Sequence, residues 1–236
     1  MKPPIEEGKV VVFTGAGVSA ESGLATFRDA GGLWQQYRPE DLATPEAWAR
    51  DPGLVLDFYN FRRETAAEAE PNPAHLAIAQ LERQFDVVVV TQNVDALHER
   101  AGSSNVIHLH GRLCLARSTV DESLIYDIGN KPIELGDTCE LGSQLRPHIV
   151  WFGEGIHSYD IAATHIKTAK RVLVVGTSLS VFPAAGLVKH ARGRAEKTLV
   201  SLDIEKKPFG FDCMRGRASV LVPQIVDRWC QQSVNI

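Results

Sequence analysis

A glycine-rich segment near the start of the chain has the spacing of a dinucleotide-binding loop. Residues 14–23 read TGAGVSAESG, in which Gly15, Gly17 and Ala20 match the pattern G-x-G-x-x-G/A. In that pattern the first glycine allows a tight turn and the second lets the backbone approach a pyrophosphate, while the start of a following helix supplies amide donors. The segment follows an apolar run, and we expect a helix after it. Taken alone, the loop could also be a simple turn between a strand and a helix.

The region about 20 residues further on lacks the second feature of ordinary dinucleotide-binding dehydrogenases. In those proteins an acidic residue at the end of the second strand holds the adenosine ribose. Here residues 33–39 read LWQQYRP, which is not typical of a strand. A different part of the chain must then bind the second half of a dinucleotide, and hydride transfer is a poor hypothesis.

The composition excludes several other classes of protein. The 236 residues include 25 Lys and Arg against 29 Asp and Glu, a net charge of −4, whereas nucleic-acid platforms are strongly cationic. No apolar run approaches the roughly 18 residues of a membrane span, and the N-terminus lacks the core of a signal peptide. The four cysteines form no CxxC pair, which excludes a disulfide scaffold. We expect a cytoplasmic protein that binds neither nucleic acid nor membrane.

Short apolar runs predict the elements that position the glycine loop. They are rich in β-branched residues and do not alternate with polar residues, as is typical of strands buried on both faces. The runs are residues 10–13, 87–90, 172–175 and 198–202. Residues 74–83 have helical spacing and follow a plausible helix start at Asn72 and Pro73. Alternating strands and helices predict an α/β fold with a Rossmann-like, doubly wound parallel sheet.

Two stretches interrupt this alternation. Residues 35–63 are rich in Trp, Tyr, Pro and Arg, and residues 113–145 have no strong periodicity and several turn formers. We interpret both as insertions that meet in a smaller second domain, so that residues 1–236 form a single unit. The predicted sheet domain comprises residues 1–34, 72–112 and 146–236, and the predicted small domain comprises residues 35–71 and 113–145.

Five segments, in order along the chain, share their residue pattern with one family of enzymes. They read GAGVSAESGLATFR at 15–28, TQNVDALH at 91–98, HLHG at 108–111, RPHIVWFGE at 146–154 and GTSLSVFP at 176–183. Together they resemble the sirtuins, which are NAD-dependent protein-lysine deacylases. The resemblance covers nearly the whole chain.

The resemblance implies a reaction that cleaves the nicotinamide–ribose bond of NAD. NAD would be consumed as a co-substrate, and the acyl group of a modified lysine would leave as O-acyl-ADP-ribose together with free nicotinamide. The partners implied are acylated-lysine proteins or peptides, and we expect the enzyme to be a monomer.

The resemblance also implies the catalytic residues. His110 lies in the HG motif and matches the family's general base, a role that suits a side chain able to exchange a proton near neutral pH. Asn93 and Asp95 match the pair that handles the nicotinamide end, although residues 93–95 alone would also pass as a helix cap. We expect His108 to be structural.

Cofactor contacts are implied for the glycine loop, for the loop that covers the cofactor, and for the ends of later strands. Phe27 would shield the reacting ribose from water, and Asp203 stands where the family usually has Asn. An Asp or an Asn at position 203 could hold the hydroxyls of the adenosine ribose. The predicted cofactor-binding residues are Gly15, Ala16, Gly17, Ser19, Ala20, Glu21, Phe27, Arg28, Trp34, Gln92, Asn93, Asp95, Gly176, Thr177, Ser178, Asp203 and Ala218.

The peptide is expected to bind by strand addition. The segment Val150, Trp151, Phe152, Gly153 and Glu154 resembles the strand that pairs with the substrate backbone and lines the acyl-lysine tunnel. The alternative is a core strand with two aromatic residues.

One residue pair bears on the acyl group. Tyr59 and Arg62 are spaced i and i+3, so that both project from one face if the segment is helical. They resemble the Y-x-x-R signature of class III sirtuins, which recognises the distal carboxylate of succinyl- or malonyl-lysine. A guanidinium suits a carboxylate because it can form paired, charge-assisted hydrogen bonds. Ala30 would keep the pocket mouth wide. The alternative is a surface helix in which Arg62 and Arg63 are solvated.

The zinc site of most sirtuins is altered in this chain. Two CxxC pairs normally hold the metal, but here Ser118 and Asp121 replace the first pair, and Cys139 stands alone and displaced in the second. Because zinc needs four ligands in a tetrahedron, we predict no structural zinc. The segment 113–145 would then hold itself by packing and hydrogen bonds, using Ile125, Tyr126, Ile133 and Leu135. Stoichiometric zinc in purified, chelator-washed protein would contradict this prediction.

Two other functions remain open from the sequence. One keeps the NAD chemistry but transfers ADP-ribose to protein, as some sirtuins are said to do. The other is a non-catalytic sensor of NAD or ADP-ribose, which would need a broken base or loop. The intact His110, Tyr59 and Arg62 favour deacylation of succinyl-, malonyl- or acetyl-lysine.

Overall fold

The computed structural model describes residues 3–26, 38–204 and 207–234. Within them the chain forms nine strands: β1 (Glu6–Thr14), β2 (Asp86–Thr91), β3 (Val106–His108), β4 (Gly111–Ser118), β5 (Ile125–Asp127), β6 (Leu145–Ile149), β7 (Ala169–Val175), β8 (Glu196–Ser201) and β9 (Asp212–Arg215). The helices of the same residues are α1 (Pro39–Leu42), α2 (Pro45–Arg50), α3 (Pro52–Glu68), α4 (Pro73–Gln80), α5 (Leu97–Arg100), α6 (Tyr159–Thr168) and α7 (Ala218–Val234). In this part of the chain no helix combines the length and apolarity needed to cross a membrane.

Six strands build a parallel sheet in the order β3-β2-β1-β7-β8-β9. All of its strand pairs are parallel. The chain runs outward from β1 to one edge and then returns to β7, the other neighbour of β1, before running to the opposite edge. Ligands bind such sheets at the carboxyl ends of the two strands where this reversal occurs. The prediction of an α/β, doubly wound parallel sheet is confirmed.

The valine runs form strands because both faces of the sheet are covered. On β1, Val10 and Val12 belong to the cluster packed with α4 and α7, whereas Val11 and Phe13 belong to the cluster packed with α6. All four of these side chains are completely buried. Alternate residues therefore face two different apolar layers, which explains why the run does not alternate in polarity. All four predicted strands are confirmed.

Helix α4 begins where the sequence predicts. The Asn72 side chain accepts a hydrogen bond from the Ala74 amide at 2.9 Å, and Pro73 occupies the first turn, where its missing N–H costs nothing. The helix continues as a 3-10 turn at Leu81–Arg83. The predicted helix over residues 74–83 is therefore confirmed.

A second, antiparallel sheet has the order β5-β4-β6. Helices α1 to α3 pack on it, and the shared core includes Leu42, Val55, Phe58, Tyr59, Leu113, Ile149 and Trp151. Arg63 of α3 is buried and donates through Nε to the carbonyl of Leu113 at 2.6 Å. Arg63 therefore ties α3 to β4, and the alternative of a solvated arginine is wrong for this residue. The limits of the two domains remain a prediction.

Candidate active site

A cavity of about 510 Å³ lies at the carboxyl edge of the parallel sheet, a volume typical of ligand sites. The loops after β1, β2 and β7 form one side of it, and α3 forms another. The predicted site residues that line it are Gly15, Ala16, Gly17, Ser19, Ala20, Glu21, Tyr59, Arg62, Gln92, Asn93, Asp95, His110, Val150, Trp151, Phe152, Gly153, Glu154, Gly176, Thr177, Ser178, Asp203 and Ala218. Phe27, Arg28, Ala30 and Trp34 lie outside the described residues.

The glycine loop does not lead into an α-helix, and that expectation is wrong. The chain instead makes two 3-10 turns, Ala16–Val18 and Ala20–Ser22. One physical reason is that the Val18 carbonyl, which would accept from the Ser22 amide in an α-helix, accepts instead from the Asn72 side chain at 2.8 Å. The Gly17 amide donates to the Gly176 carbonyl at 2.8 Å. The Gly17 amide is therefore engaged within the protein and is not one of the free helix-start donors that the motif predicts.

Glycine is required in this loop because its backbone packs closely against the backbone of the loop after β7. A Cβ on Gly15 would lie 2.7 Å from Cβ of Thr177, and one on Gly17 would lie 2.8 Å from the Gly176 carbonyl oxygen. Gly176 itself has φ +62°, and its Cβ would lie 2.2 Å from the Val18 amide nitrogen. The loops after β1 and β7 thus touch through their backbones, which shapes the floor of the cavity.

Glu21 joins the glycine loop to the last helix. Its carboxylate accepts from the amide of Ser219 at 3.0 Å and from the Ser219 hydroxyl at 2.5 Å, in the first turn of α7. A carboxylate is favourable there because the first amides of a helix lack partners. Ala218 begins this helix and is brought to the same cavity.

At the β8 end of the cavity the polar groups are more exposed. Asp203 is exposed, and one of its carboxylate oxygens lies 3.7 Å from Nη2 of Arg215. The Gln92 amide donates to the Thr177 hydroxyl at 3.1 Å, and the hydroxyls of Ser178 and Ser180 are 2.6 Å apart. Amide, hydroxyl and carboxylate groups of this kind can hold the hydroxyls of a ribose.

The orientation of His110 follows from a single hydrogen bond. Its Nδ1 lies 2.9 Å from the carbonyl oxygen of Gln92, and because a carbonyl can only accept, Nδ1 carries the proton. The neutral ring then has its lone pair on Nε2, in the cavity that His110 lines. Burial lowers the pKa of His110, and the hydrogen bond to Gln92 opposes this only in part. The ring is therefore a proton acceptor at neutral pH.

Asn93 and Asp95 are joined by Ser19 of the glycine loop. The Ser19 hydroxyl donates to Oδ2 of Asp95 at 3.1 Å and accepts from the side-chain amide of Asn93 at 3.0 Å. Oδ1 of Asp95 accepts from the Leu97 amide at 3.1 Å, and the cap position of α5 is the next residue, Ala96. Burial raises the pKa of Asp95 despite these hydrogen bonds.

Two buried histidines lie behind this network. Nε2 of His75 is 3.5 Å from the Ser19 hydroxyl, while its Nδ1 accepts from the Asn72 amide at 3.3 Å. The His98 ring lies 4.8 Å from that of His75, and its Nε2 is 3.0 Å from the Thr14 hydroxyl. Burial lowers the pKa of His75 to about 4 and that of His98 well below its ordinary value. Both rings are therefore neutral and do not take up a proton from the site.

The expected substrate strand over residues 150–154 is wrong in its local structure. Strand β6 ends at Ile149, and the Glu154 amide donates to the Trp151 carbonyl at 3.0 Å to close a turn. Gly153 has φ +93°, as the third position of a type II turn requires. The carboxylate of Glu154 then accepts from Nη1 of Arg146 at 2.7 Å. Glu154 therefore holds the turn together from within the protein.

Tyr59 and Arg62 lie together on α3, as the spacing predicts. The Tyr59 hydroxyl is buried and accepts from Nε1 of Trp151 at 3.1 Å. The Arg62 guanidinium carbon lies 5.8 Å from the Tyr59 ring centroid and 5.6 Å from that of Phe58. Burial lowers the pKa of Arg62, a change that the charges of Tyr59 and Asp95 oppose. The helix thus presents a hydroxyl and a cation to the cavity.

Residues 113–145 show how the region around the altered cysteine motif is held. The Cys139 thiol donates to the Ser118 hydroxyl at 3.4 Å, and the same oxygen accepts from the Asp121 amide at 3.2 Å. Across residues 3–26, 38–204 and 207–234, no three His, Cys, Asp or Glu side chains are grouped as metal ligands. The absence of zinc remains a prediction.

The predicted packing of this segment is only partly correct. Ile133 is buried beside Leu56 and Ala116, as expected. Ile125 and Leu135 are 46% and 63% exposed, so the expectation that they hold the segment is wrong. Ile125 lies on β5, one of the two edge strands of the antiparallel sheet. The Tyr126 hydroxyl donates to the Glu140 carboxylate, so Tyr126 supports the segment through a hydrogen bond.

The fold and the site together define an α/β nucleotide-binding protein with a second domain over its cavity. Residues 15–183 match the model of the Sir2 family, and the chain belongs to that family. An NAD-dependent protein deacylase of Bacteroides thetaiotaomicron is 49% identical over 198 residues, covering 81% of this chain and 84% of that protein. An NAD-dependent protein deacylase of Helicobacter pylori is 50% identical over 182 residues, covering 77% and 79%.

Solved structures of the same family resemble the whole chain. A mutant Sir2 homologue in complex with ADP ribose has a TM-score of 0.87 at 40% identity and covers 98% of this chain and 95% of its own. A Sir2 homologue in complex with NAD has a TM-score of 0.85 at 40% identity, covering 97% and 91%.

Sequence reasoning missed three contacts that shape the site. They are the Trp151–Tyr59 hydrogen bond, the support of Ser19 by His75, and the contact of His108 with the carbonyl of Asn93 at 2.9 Å. Only one had a local signal: His75 is the third residue after the cap Asn72, the position from which a side chain reaches back to the cap amide.

The acid limb of the pH profile should reflect the lowered pKa of His110. If His110 acts as the expected general base it must be unprotonated, and kcat/KM for an acetylated peptide should then rise with pH and reach its plateau from a midpoint below about 6.5, the ordinary value for histidine. The acetyl group does not titrate and so cannot add a limb of its own. Initial rates between pH 5 and 8 measure this, taking about 6.5 as the dividing value. A midpoint above that value would contradict the assignment of a buried neutral base.

Proposed function

We propose that this protein removes acyl groups from protein lysines with NAD as its co-substrate, and that succinyl and malonyl groups are among them. The observation that carries the proposal is the placement of His110: its Nδ1 is fixed on the Gln92 carbonyl, and the ring lines one cavity together with the nucleotide loops and the Tyr59–Arg62 pair. Membership of the Sir2 family and relatives named NAD-dependent protein deacylases support it.

The residues present fit NAD. The loops after β1 and β7 pack so closely that no Cβ could be added at Gly17 or Gly176, and both loops line the cavity. Thr177, Ser178 and Asp203 would hold the adenosine half, and Asn93 and Asp95 would hold the nicotinamide end. When bound, NAD supplies a sugar carbon that becomes electrophilic as nicotinamide leaves.

The chain's own groups would then act in turn. Asn93 and Asp95, fixed by Ser19, would orient the nicotinamide end, and the aromatic wall of Trp151 and Phe58 would exclude water from the acyl-lysine. His110 would take a proton at Nε2 from a ribose hydroxyl, since its Nδ1–H is committed to Gln92. The imidazolium formed is stabilised by that same hydrogen bond.

The acyl preference is proposed from the hydrogen bonding of Tyr59. Its oxygen already accepts from Nε1 of Trp151, so the hydroxyl hydrogen is directed elsewhere and can be donated to an acceptor in the cavity. Arg62 stands one helical turn away on the same face. A donor and a cation side by side suit a carboxylate at the end of an acyl chain. An acetyl group would be processed at the same His110 without a contact to the Tyr59 hydroxyl or to Arg62.

One assay panel tests the proposal. Peptides of one sequence carrying acetyl-, malonyl-, succinyl- or long-chain acyl-lysine are each incubated with the enzyme and NAD, and kcat/KM is measured for each. We expect turnover of the acetyl peptide and higher kcat/KM for the malonyl and succinyl peptides. Turnover of the acetyl peptide alone would overturn the acyl preference but leave deacylation intact. No NAD-dependent turnover of any peptide would overturn the proposed function.

A further inference from the structure

The first histidine of the HLHG motif bridges two parts of the chain. His108 is the last residue of β3, and its side chain is only 7% exposed. Nδ1 lies 2.9 Å from the carbonyl oxygen of Asn93, and Nε2 lies 2.8 Å from Oε1 of Glu99 on α5. The ring thus connects the loop of the nicotinamide end to a carboxylate outside the cavity.

Both neighbours of this ring are hydrogen-bond acceptors. A backbone carbonyl and an ionised carboxylate offer lone pairs only, and a neutral imidazole has one N–H and one lone pair. Burial raises the pKa of Glu99, but the hydrogen bond and charge of His108, a backbone hydrogen bond and the charge of Arg112 together hold that pKa below its ordinary value. Glu99 is therefore ionised, and only a doubly protonated ring can donate to both partners. Nη2 of Arg112 lies 3.6 Å from the same Glu99 oxygen.

The carbonyl that His108 binds belongs to a loop held at three successive points. The Gln92 carbonyl accepts from His110, the Asn93 carbonyl from His108, and the Val94 carbonyl from the Leu113 amide at 2.9 Å. Asn93 and Asp95 project their side chains from this loop to Ser19. Rotation of the peptide group after Asn93 would move both side chains together.

We propose that His108 is a positively charged positioning residue for NAD, and that the His108–Glu99 ion pair fixes the peptide group that orients Asn93 and Asp95. The pair also places a cation near Asp95, where it favours the carboxylate form against burial. This inference rests on the proposed roles of Asn93 and Asp95. It gives His108 a part in the reaction that is separate from the proton transfer at His110.

The test compares His108→Gln, Glu99→Gln and the double variant in the full-length enzyme. A glutamine at 108 has one amide group and cannot replace both donors in the same geometry. We expect KM for NAD to rise, or kcat to fall, by roughly tenfold or more, since small displacements of positioning groups cost up to about a hundredfold. KM for the acyl peptide should stay within about twofold, as expected for an effect confined to one substrate.

The double variant and two further proteins complete the test. If the residues act as a pair, the double variant should lose no more than His108→Gln alone. Glu70→Gln is the matched control, because Glu70 pairs with Arg100 at the end of the same helix α5 and is 80% exposed; it should behave as wild type. Should His108→Gln fail to fold, Glu99→Gln gives the same comparison of KM values.

Two results would overturn the inference. One is wild-type kinetics in both single variants. The other is an equal loss for both substrates that follows a lower melting temperature, which would indicate a structural role only. Asn93→Ala separates this failure from that of the proposed site: if Asn93→Ala loses activity and His108→Gln does not, only the present inference fails. If Asn93→Ala is also fully active, the proposed NAD site itself is wrong.

Discussion

Replacement of His110 by alanine should lower kcat/KM for deacylation by about 10²- to 10⁴-fold, the usual contribution of a general base. The reason is geometric: among the ring's two nitrogens, Nδ1 is bonded to the Gln92 carbonyl, so Nε2 is the atom able to accept a proton in the cavity. The loss should appear in product formation. Exchange of labelled nicotinamide into NAD should be reduced less, because the proposed proton transfer follows the departure of nicotinamide.

His165→Ala is the matched control for this experiment. His165 lies on α6, it is only partly buried, and its surroundings include Lys9 rather than the cavity. This variant should keep wild-type kinetics. Equal activity of His110→Ala and wild type with an acylated peptide would contradict the assigned base, whereas equal losses in exchange and in deacylation would place His110 in the first step instead.

Replacement of Arg62 by methionine should lower desuccinylation at least about tenfold, since a charge-assisted hydrogen bond contributes about 1.5–3 kcal/mol. Deacetylation should change little, because an acetyl group has no distal carboxylate. Methionine keeps an unbranched, apolar stem at this position but removes the guanidinium that lies over the rings of Phe58 and Tyr59. The measurement is the ratio of kcat/KM for succinyl and acetyl peptides of the same sequence.

Two variants bracket the Arg62 result. Arg50→Met removes an exposed arginine of α2 that pairs with Asp41, and it should leave the ratio unchanged. Tyr59→Phe removes the hydroxyl to which Trp151 donates and should lower the same ratio. Equal loss of desuccinylation and deacetylation in Arg62→Met would show that Arg62 supports the cavity but does not discriminate between acyl groups.

The elements that position the site were predictable because their signals are local. A run such as residues 10–13 is apolar at every position and rich in β-branched residues, a pattern typical of a strand covered on both faces. The i and i+3 spacing of Tyr59 and Arg62 becomes one face of a helix once α3 forms, and Asp51 and Pro52 mark its start.

The parts that could not be predicted depend on residues far apart in the chain. The 3-10 turns after β1 accompany a hydrogen bond from the distant Asn72 side chain to the Val18 carbonyl, the acceptor that an α-helix would use for Ser22. The turn that replaces the expected strand at 150–154 is held by Arg146 through Glu154, although Gly153 gave a local hint of it. The contact of His108 with Glu99 and Asn93 needs the register of β3 against β2, which no motif specifies.

The central claim is that one cavity brings NAD and an acyl-lysine together, and product analysis tests it most directly. NAD is incubated with the enzyme and a succinylated or acetylated peptide, and the products are identified by mass spectrometry. The account predicts that nicotinamide release requires the acyl peptide, and that O-acyl-ADP-ribose and free-lysine peptide form in equal amounts with it. Two results would contradict it: ADP-ribose attached to peptide or protein, or release of nicotinamide that does not depend on the acyl peptide.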